Sequence, residues 1–534
     1  MANLIDLTQS ILSTNTICFE STNLDSEKIP VPIENAKFGI INFNAITSKE
    51  TTDELDFLFM LDCSGSMSDM CSDRRSKMHH IIHTLKNMIM FFHERPELQV
   101  NITIKAFDTL IYKIVTRTKI TEENIGEIMS KIDKILPKGS TNVELALRDV
   151  ADEISEIKRL YPNNIISHIF MTDGEVSDGS KDINILKNIV CPEVTNAFIG
   201  FGIDHDSTLL NGISSIGKSG YYFIDKLENA GLVYGEILHE IIYKILINVE
   251  INIENGLIYD FKTNKWVQSL KIADIVSECN KTFNIISSNP DECKVYIKGT
   301  MDNLTIIFPS LLDDKCHDLT SHIYRQRTLQ ILYEVNNFCN RKREIENRYD
   351  DFPHIFRKNR NRISAEINKF NEEEINLKHK LIEFIEEIKK YMSDNELNED
   401  KFLKNLCDDI YICYRTFGTK FGSMFCTARR TSQGTQRQYT ASNTVDVNEE
   451  LAFNMPDIRN RALTPHLIRQ TNMDPLNDID TDDLPSLNTI LSHEVSDYAD
   501  TPYLTPQATQ VMREISTRTL DFLDDSCIKT QQLY

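Results

Sequence analysis

With 534 residues and a net charge of −22, the chain has room for about two to four domains of about 100–200 residues each. Hydrophobic residues make up 41% and charged residues 26%, enough to bury a core through most of its length. The acidic balance argues against a general nucleic-acid binder, which needs a basic face to neutralise phosphates, and against anionic membrane surfaces.

In chain order, residues 1–52 read as an N-terminal extension. Met1–Asn15 has no basic region and no long apolar stretch, so it does not resemble a signal peptide. Val31–Ile33 and Phe38–Phe43 are strand-like and are expected to add to a β module further along. Residues 53–248 alternate strand-like and helix-like segments. Leu55–Leu61 is almost wholly apolar, as a strand buried on both faces should be. Met78, Ile81, Ile82, Leu85, Met88, Ile89 and Phe92 recur at helical spacing. Val100–Ala106 and Leu110–Val115 read as strands, and a helix is expected from Thr121 to Ile135. Leu147, Val150, Ala151, Ile154 and Ile157 share one helix face. Ile165–Met171 and Asn196–Gly202 are buried strands; a helix near Ser207–Ile216, a strand at Tyr221–Ile224 and a helix at Asn229–Ile247 close the unit. Such alternation predicts an α/β fold, a doubly wound, mostly parallel sheet covered on both faces.

Residues 249–312 change to short strands separated by turn residues such as Asn255-Gly256 and Asn289-Pro290-Asp291, an antiparallel β module. Within 317–414, Ile363, Ile367, Phe370, Leu377, Leu381, Phe384 and Ile388 form an apolar stripe at steps of three and four, followed by Leu403, Leu406 and Ile410. This predicts a helical bundle, with an oligomerising coiled coil as the alternative. From 415 to 534 Ser, Thr, Asn, Gln and Asp dominate, so a polar and acidic tail that is largely disordered or docks as short pieces is expected. No segment approaches the ~20 apolar residues of a membrane span, and a soluble, intracellular (cytoplasmic) protein is expected. The 12 cysteines never form Cys-x-x-Cys, and reduced thiols packed as small hydrophobes are expected rather than zinc sites.

Three loops carry the chemistry. Asp62-Cys63-Ser64-Gly65-Ser66 follows the strand at Leu55–Leu61; Gly139-Ser140-Thr141-Asn142 precedes a helix; Thr172-Asp173-Gly174 follows the strand at Ile165–Met171. All three belong to the carboxyl edge of the predicted sheet, where open α/β folds bind ligands. Ser64, Ser66 and Thr141 offer neutral hydroxyls and Asp62 and Asp173 offer carboxylates, a donor set for a hard divalent cation. Hydroxyl ligands leave the ion under-neutralised, so it seeks a further anionic oxygen. Gly65 is expected to let the first loop curl tightly.

Phe57–Met67 (FLFMLDCSGSM), Lys138–Leu145 (KGSTNVEL) and Phe170–Glu175 (FMTDGE) resemble, in order and spacing, the three metal-site motifs of von Willebrand factor A domains. The resemblance covers residues 53–248. It implies a MIDAS-type site in which Ser64, Ser66 and Thr141 coordinate Mg²⁺ (or Mn²⁺) directly, with Asp62 and Asp173 acting mainly through water. It further implies a metal-dependent protein-interaction module in an intracellular scaffold, not an enzyme, whose metal bridges to an Asp or Glu of a partner protein. The layout resembles multidomain A-domain proteins, including ubiquitin-ligase relatives with a RING, but no cysteine pattern for a RING is present. In composition the chain also resembles A-domain proteins of giant DNA viruses.

Two other readings are weighed. The helical region would carry the function of a structural assembly protein. A haloacid-dehalogenase-type phosphatase also places an Asp after a buried strand, but uses a second Asp two residues on, and here Ser64 stands there. His79 and His83 are spaced i, i+4 but lack a third ligand. Arg429, Arg430 and Arg437 form a basic cluster expected to touch acidic surfaces.

Overall fold

The computed structural model describes residues 11–48, 50–51, 53–70, 75–174, 176–202, 205–224, 230–301, 304–313, 318–351, 360–417, 422–438 and 501–516, with side chains outside 343–368. The chain divides into two compact units, one of Met1–Gln330, Thr427–Ala441 and Asp500–Tyr534, the other of Ile331–Cys426 and Ser442–Ala499.

In the first unit, β1 (Leu12–Asn23) and β2 (Lys37–Ala45) pair antiparallel. Val31–Ile33 is not a strand. Pro30 and Pro32 remove ladder donors there. Next come β3 (Leu55–Asp62), α1 (Lys77–His93), β4 (Val100–Phe107), β5 (Ile111–Lys119), α2 (Ile125–Ile132), α3 (Val143–Leu160), β6 (Ile165–Thr172), α4 (Ile183–Ile189), β7 (Thr195–Phe201), α5 (Ser207–Ile213), β8 (Ser219–Ile224) and α6 (Ala230–Ile242). The strands form one sheet in the order β5-β4-β3-β6-β7-β8, parallel except for β5 against β4. Every residue of β3 and β4 is buried, as expected of central strands with helices on both faces. The strand order reverses about β3, which lies between β4 and β6, so the loops leaving β3 and β6 open a crevice at the sheet's carboxyl edge.

Two helix limits differ from the sequence expectation. α2 begins at Ile125 because the Thr121 carbonyl accepts from Asn124 and Ile125 N–H at 3.2 and 3.1 Å, closing a turn first. α6 stops at Ile242, and β9 (Lys244–Glu254) starts within the predicted helix, burying Val249, Ile251 and Ile253 at a period of two.

The strands β10 (Leu257–Asp260), β11 (Lys265–Val267), β12 (Ser269–Lys271), β13 (Ile275–Val276), β14 (Asn280–Ser287), β15 (Lys294–Met301), β16 (Leu304–Pro309) and β17 (Leu311–Leu312) follow. One sheet runs β11-β10-β14-β2-β1-β17; the other runs β12-β9-β15-β16, with β13 beside β9. Phe43, Ile251, Ile285, Val295 and Phe308 share the core of these strands. The parallel sheet is thus threaded between β2 and β9, whose flanking strands close over one core.

The helices α7 (Thr320–Asp351), α8 (Arg360–Asp394), α9 (Lys401–Thr416) and α10 (Gly422–Thr435) complete the elements. In the second unit α7 and α8 run antiparallel. Lys380 meets Glu334 at 2.5 Å, Lys342 meets Glu374 at 2.7 Å, and Arg341 meets Glu373. Leu381, Phe384, Ile385 and Ile388 of α8 are buried, as are Leu403, Leu406 and Ile410 of α9. Asp400 caps α9 by accepting from Leu403 N–H at 2.9 Å.

Two short pieces of the polar tail are ordered as helices. Residues 422–435 form α10, and residues 506–516 form a further helix, α11, that buries Ala508, Val511, Met512 and Ile515. Apolar residues spaced at three and four are too few and too isolated there to stand out from the polar background; residues 439–500 and 517–534 lie outside the described residues. Cys413 and Cys426 are joined by a disulfide, against the expectation of reduced thiols throughout. Among the described residues no helix is long and apolar enough to cross a membrane.

Candidate functional site

At the end of β3 the chain turns sharply, and Asp62 is fully buried. Its Oδ1 accepts from the Ser64 N–H at 2.8 Å and its Oδ2 from the Thr172 hydroxyl at 2.6 Å, tying the β3 loop to the end of β6. Burial pushes the Asp62 carboxyl up to about 6; the hydrogen bonds from Thr172 and Ser64 oppose that, and the charge of Asp173 adds to it.

The next turn, Gly65–Ser68, is a short 3₁₀ segment that brings Ser64 Oγ and Ser66 Oγ to 3.1 Å. Ser66 Oγ donates to Asp173 Oδ1 at 2.9 Å. Thr141 is held by its backbone: its N–H donates to Ser177 Oγ at 2.8 Å, and its carbonyl accepts from Ser177 and Asp178 N–H at 3.1 Å. Asn142 caps α3 by accepting from Leu145 N–H at 2.9 Å, which sets Thr141 one residue before the cap. A Cβ placed on Gly174 would lie 3.3 Å from Ser66 Oγ and 3.4 Å from Thr141 Oγ1, so these two hydroxyls flank the same small space.

The five residues singled out from the sequence, Asp62, Ser64, Ser66, Thr141 and Asp173, therefore converge on one rim. Gly65 does not contribute as expected. Its φ is not positive, and a Cβ there would meet only the Gly139 carbonyl at an ordinary 3.5 Å. The left-handed residue is Gly139, at φ +73, where a Cβ would stand 2.7 Å from Asp108 Oδ2; its carbonyl accepts from Gly65 N–H at 3.1 Å and so joins the first two loops.

Two participants escape sequence reasoning. Thr172 belongs to the third loop but is not among the five residues singled out; it is the last residue of β6, and its hydroxyl holds Asp62. Lys77, at the start of α1, places its Nζ 2.9 Å from Asp173 Oδ2 and 3.8 Å from Asp69. No local pattern links Lys77 to the motifs. Asp173 Oδ2 is buried and receives no directed hydrogen bond, only this ion pair. A buried carboxylate oxygen without a hydrogen bond, beside three hydroxyls, fits a cation shell of oxygens. Among the described residues no group of three or more His, Cys, Asp or Glu gathers, at this rim or elsewhere; the rim offers two carboxylates beside its hydroxyls. His83 instead pairs with Asn87 at 3.0 Å inside the α1 core.

The von Willebrand factor type A domain profile matches residues 56–237. A von Willebrand factor A domain-containing protein of Dictyostelium discoideum is 26% identical over 226 residues, 40% of this chain and 25% of that protein, so the match spans about a quarter of the relative's length. Among solved structures, the ArnB paralog VWA2 from Sulfolobus acidocaldarius is similar at 11% identity and a TM-score of 0.44, covering 79% of this chain and all (100%) of that one. Proximal thread matrix protein 1 of the mussel byssus, solved with a zinc-occupied MIDAS motif, is similar at 17% identity and a TM-score of 0.29, covering 36% of this chain and 49% of that one. Residues 56–237 of this chain are a von Willebrand factor type A domain.

Proposed function

We propose that the rim formed by Asp62, Ser64, Ser66, Thr141 and Asp173 holds Mg²⁺ (or Mn²⁺) and that the ion captures an Asp or Glu carboxylate of a partner protein. Domains of this family typically act as non-enzymatic interaction modules, often through a metal. Ser64, Ser66 and Thr141 would ligate the ion through hydroxyl oxygens, and Asp62 and Asp173 would orient the shell. When bound, the ion supplies an electrophilic site for a foreign carboxylate. The chain's own part is positional: Asp62 ties the first loop to Thr172, and Gly174 leaves open the space beside Ser66 and Thr141.

The observation that carries the reading is the run of oxygens from Ser64 to Ser66 at 3.1 Å and from Ser66 to Asp173 at 2.9 Å, next to a buried carboxylate oxygen met, among the described residues, by the Lys77 ammonium alone. Among the described residues, nothing resembling a nucleophile and base pair joins them. Both oxygens of Asp62 already accept hydrogen bonds, and Ser64 stands where a phosphatase would need its second acid. Calorimetric titration of the full chain with Mg²⁺ and Mn²⁺ tests the metal. Binding should be lost in Ser66→Ala and Asp173→Asn. Proteins captured by wild type and by Thr141→Ala, each with magnesium and with chelator, test the bridge. Capture that persists unchanged through both chelator and substitution refutes it.

A further inference from the structure

Within the first unit, away from the Asp62 rim, β8, the strands from β9 to β14 and the end of α10 enclose a cavity of about 150 Å³. Its walls carry seven Lys and Arg side chains against three Asp and Glu, a local positive excess on a chain of net charge −22. Such a recess focuses the field of its charges.

The three acids are already engaged. Asp274 pairs with Lys244 at 3.1 Å and Lys218 at 3.4 Å. Glu240 accepts from the Tyr222 hydroxyl at 2.6 Å. Asp260 accepts from the Lys262 N–H at 3.0 Å and the Thr263 hydroxyl at 2.6 Å. Two of the cations serve the fold. Lys281 donates to the carbonyls of Thr435 and Gln436 at 2.7 and 3.0 Å, and Arg325 donates to those of Thr282 and Gln433 at 3.0 and 2.9 Å. Between them they satisfy carbonyls at the end of α10.

Arg437 holds no such carbonyl. It is 9% exposed, and its guanidinium lies 3.6 Å over the ring of Tyr222. Among the described residues its guanidinium makes no hydrogen bond and no ion pair; Glu236 and Glu240 act on this region only through space. Stacking occupies the faces of the guanidinium and leaves its edge, with five N–H donors, unused. Arg437 lines the cavity, and its donors keep contact with the solvent there, open to an acceptor from outside the chain. Lys262 is exposed as a residue, but burial of its ammonium lowers its pKa; Asp260 opposes that fall, and Lys187 and Arg437 are near enough to add to it.

We propose that this cavity binds a phosphate group, free or at the end of a small phosphomonoester, with Arg437 supplying a two-pronged hydrogen-bonding edge and Lys262 a second positive charge at the mouth. The stack on Tyr222 holds the guanidinium in place before the anion arrives, which lowers the ordering cost of binding. A multiply charged oxyanion matches both the surplus of positive charge and the planar donor edge.

Calorimetric titration of the full chain with inorganic phosphate and with glycerol 3-phosphate, in low salt with chelator present, tests the proposal independently of the metal rim. Succinate serves as a carboxylate control. Binding by wild type below about 1 mM is expected, with the tighter probe telling free phosphate from an ester. Arg437→Met and Lys262→Glu should each weaken it about ten-fold or more. Lys262 is exposed, so Lys262→Glu should keep the wild-type melting midpoint and remains informative if Arg437→Met folds poorly. Absence of binding by both phosphate probes, equal binding by both variants, or succinate binding as tight as phosphate overturns the proposal.

Discussion

Lys77→Met is the substitution whose outcome depends most directly on how charge is balanced at the metal rim. The Lys77 ammonium lies 2.9 Å from Asp173 Oδ2, with side-chain exposures of 11% and 0%. Both partners are therefore withdrawn from water, and removing one leaves an uncompensated buried carboxylate, a loss of about 3–5 kcal/mol. That penalty belongs to the metal-free protein. With a divalent cation bound beside Asp173, the ion itself supplies positive charge and the ammonium becomes a like-charged neighbour. The same substitution should then cost little in saturating magnesium. By linkage the difference must reappear as tighter metal binding. A difference of about 3 kcal/mol corresponds to about 100-fold in the Mg²⁺ dissociation constant. Urea unfolding of wild type and Lys77→Met, each with chelator and with saturating Mg²⁺, gives the four stabilities, and calorimetric titration gives the affinity ratio independently. If Lys77→Met costs the same with and without Mg²⁺, and the affinities are equal, the ion and the ammonium do not share Asp173 and this charge balance is wrong.

Gly174→Val should abolish Mg²⁺ binding with only a modest change in melting midpoint, because even the first added carbon would stand 3.3 Å from Ser66 Oγ and 3.4 Å from Thr141 Oγ1; calorimetry with Mg²⁺ checks it, and undiminished binding counts against the placement of the ion. His168 gives a pH dependence. Burial against Phe170 and Phe198 lowers its pKa from 6.5 to about 4, while its ring nitrogen hydrogen-bonds Asn196 Oδ1 at 3.0 Å. Below about pH 6.5 the unfolded chain takes up a proton that the folded imidazole refuses. The stability His168 secures is thus fully present above about pH 6.5 and falls between about 6.5 and 4, by about 3 kcal/mol in all. Glu236, pushed up to about 7 mainly by burial, titrates with the opposite sign, so the measurement is the difference between wild type and His168→Gln across that window; a flat difference refutes the assignment.

The rim proposed to hold the metal is legible because each of its loops is a short contiguous run fixed to the end of a strand. The apolar runs that form β3 and β6 are buried throughout or nearly so, and a strand of that kind has few alternatives. Once those strands are adjacent and parallel, Asp62 and Asp173 must emerge side by side at one edge, and the oxygen-bearing residues follow from local order along the chain. The parts that are not legible share a different origin. β1 escapes notice because its Thr, Asn and Ser residues blur the alternation, and its burial against β2 is decided by tertiary pairing rather than by its own pattern. Lys77 starts a helix whose other residues are mostly apolar, and nothing near it in sequence says that its ammonium will end 2.9 Å from a carboxylate in the loop after β6.

Arg437 shows the same dependence on distant segments more sharply. In a stretch rich in Ser, Thr and Gln an arginine reads as a solvated charge, one of a surface patch with Arg429 and Arg430. The fold instead buries all three, with Arg430 donating to the carbonyls of Phe261 and Lys262 and Arg437 set on Tyr222. Sequence patterns report which atoms a loop offers, because that is local. Whether a charge is compensated depends on burial and on partners from distant segments, and both appear only when the chain has closed. The two informative features of this protein that arise in that way, an ammonium seated against Asp173 and a guanidinium that meets no acceptor among the described residues, are for this reason where function is best sought next.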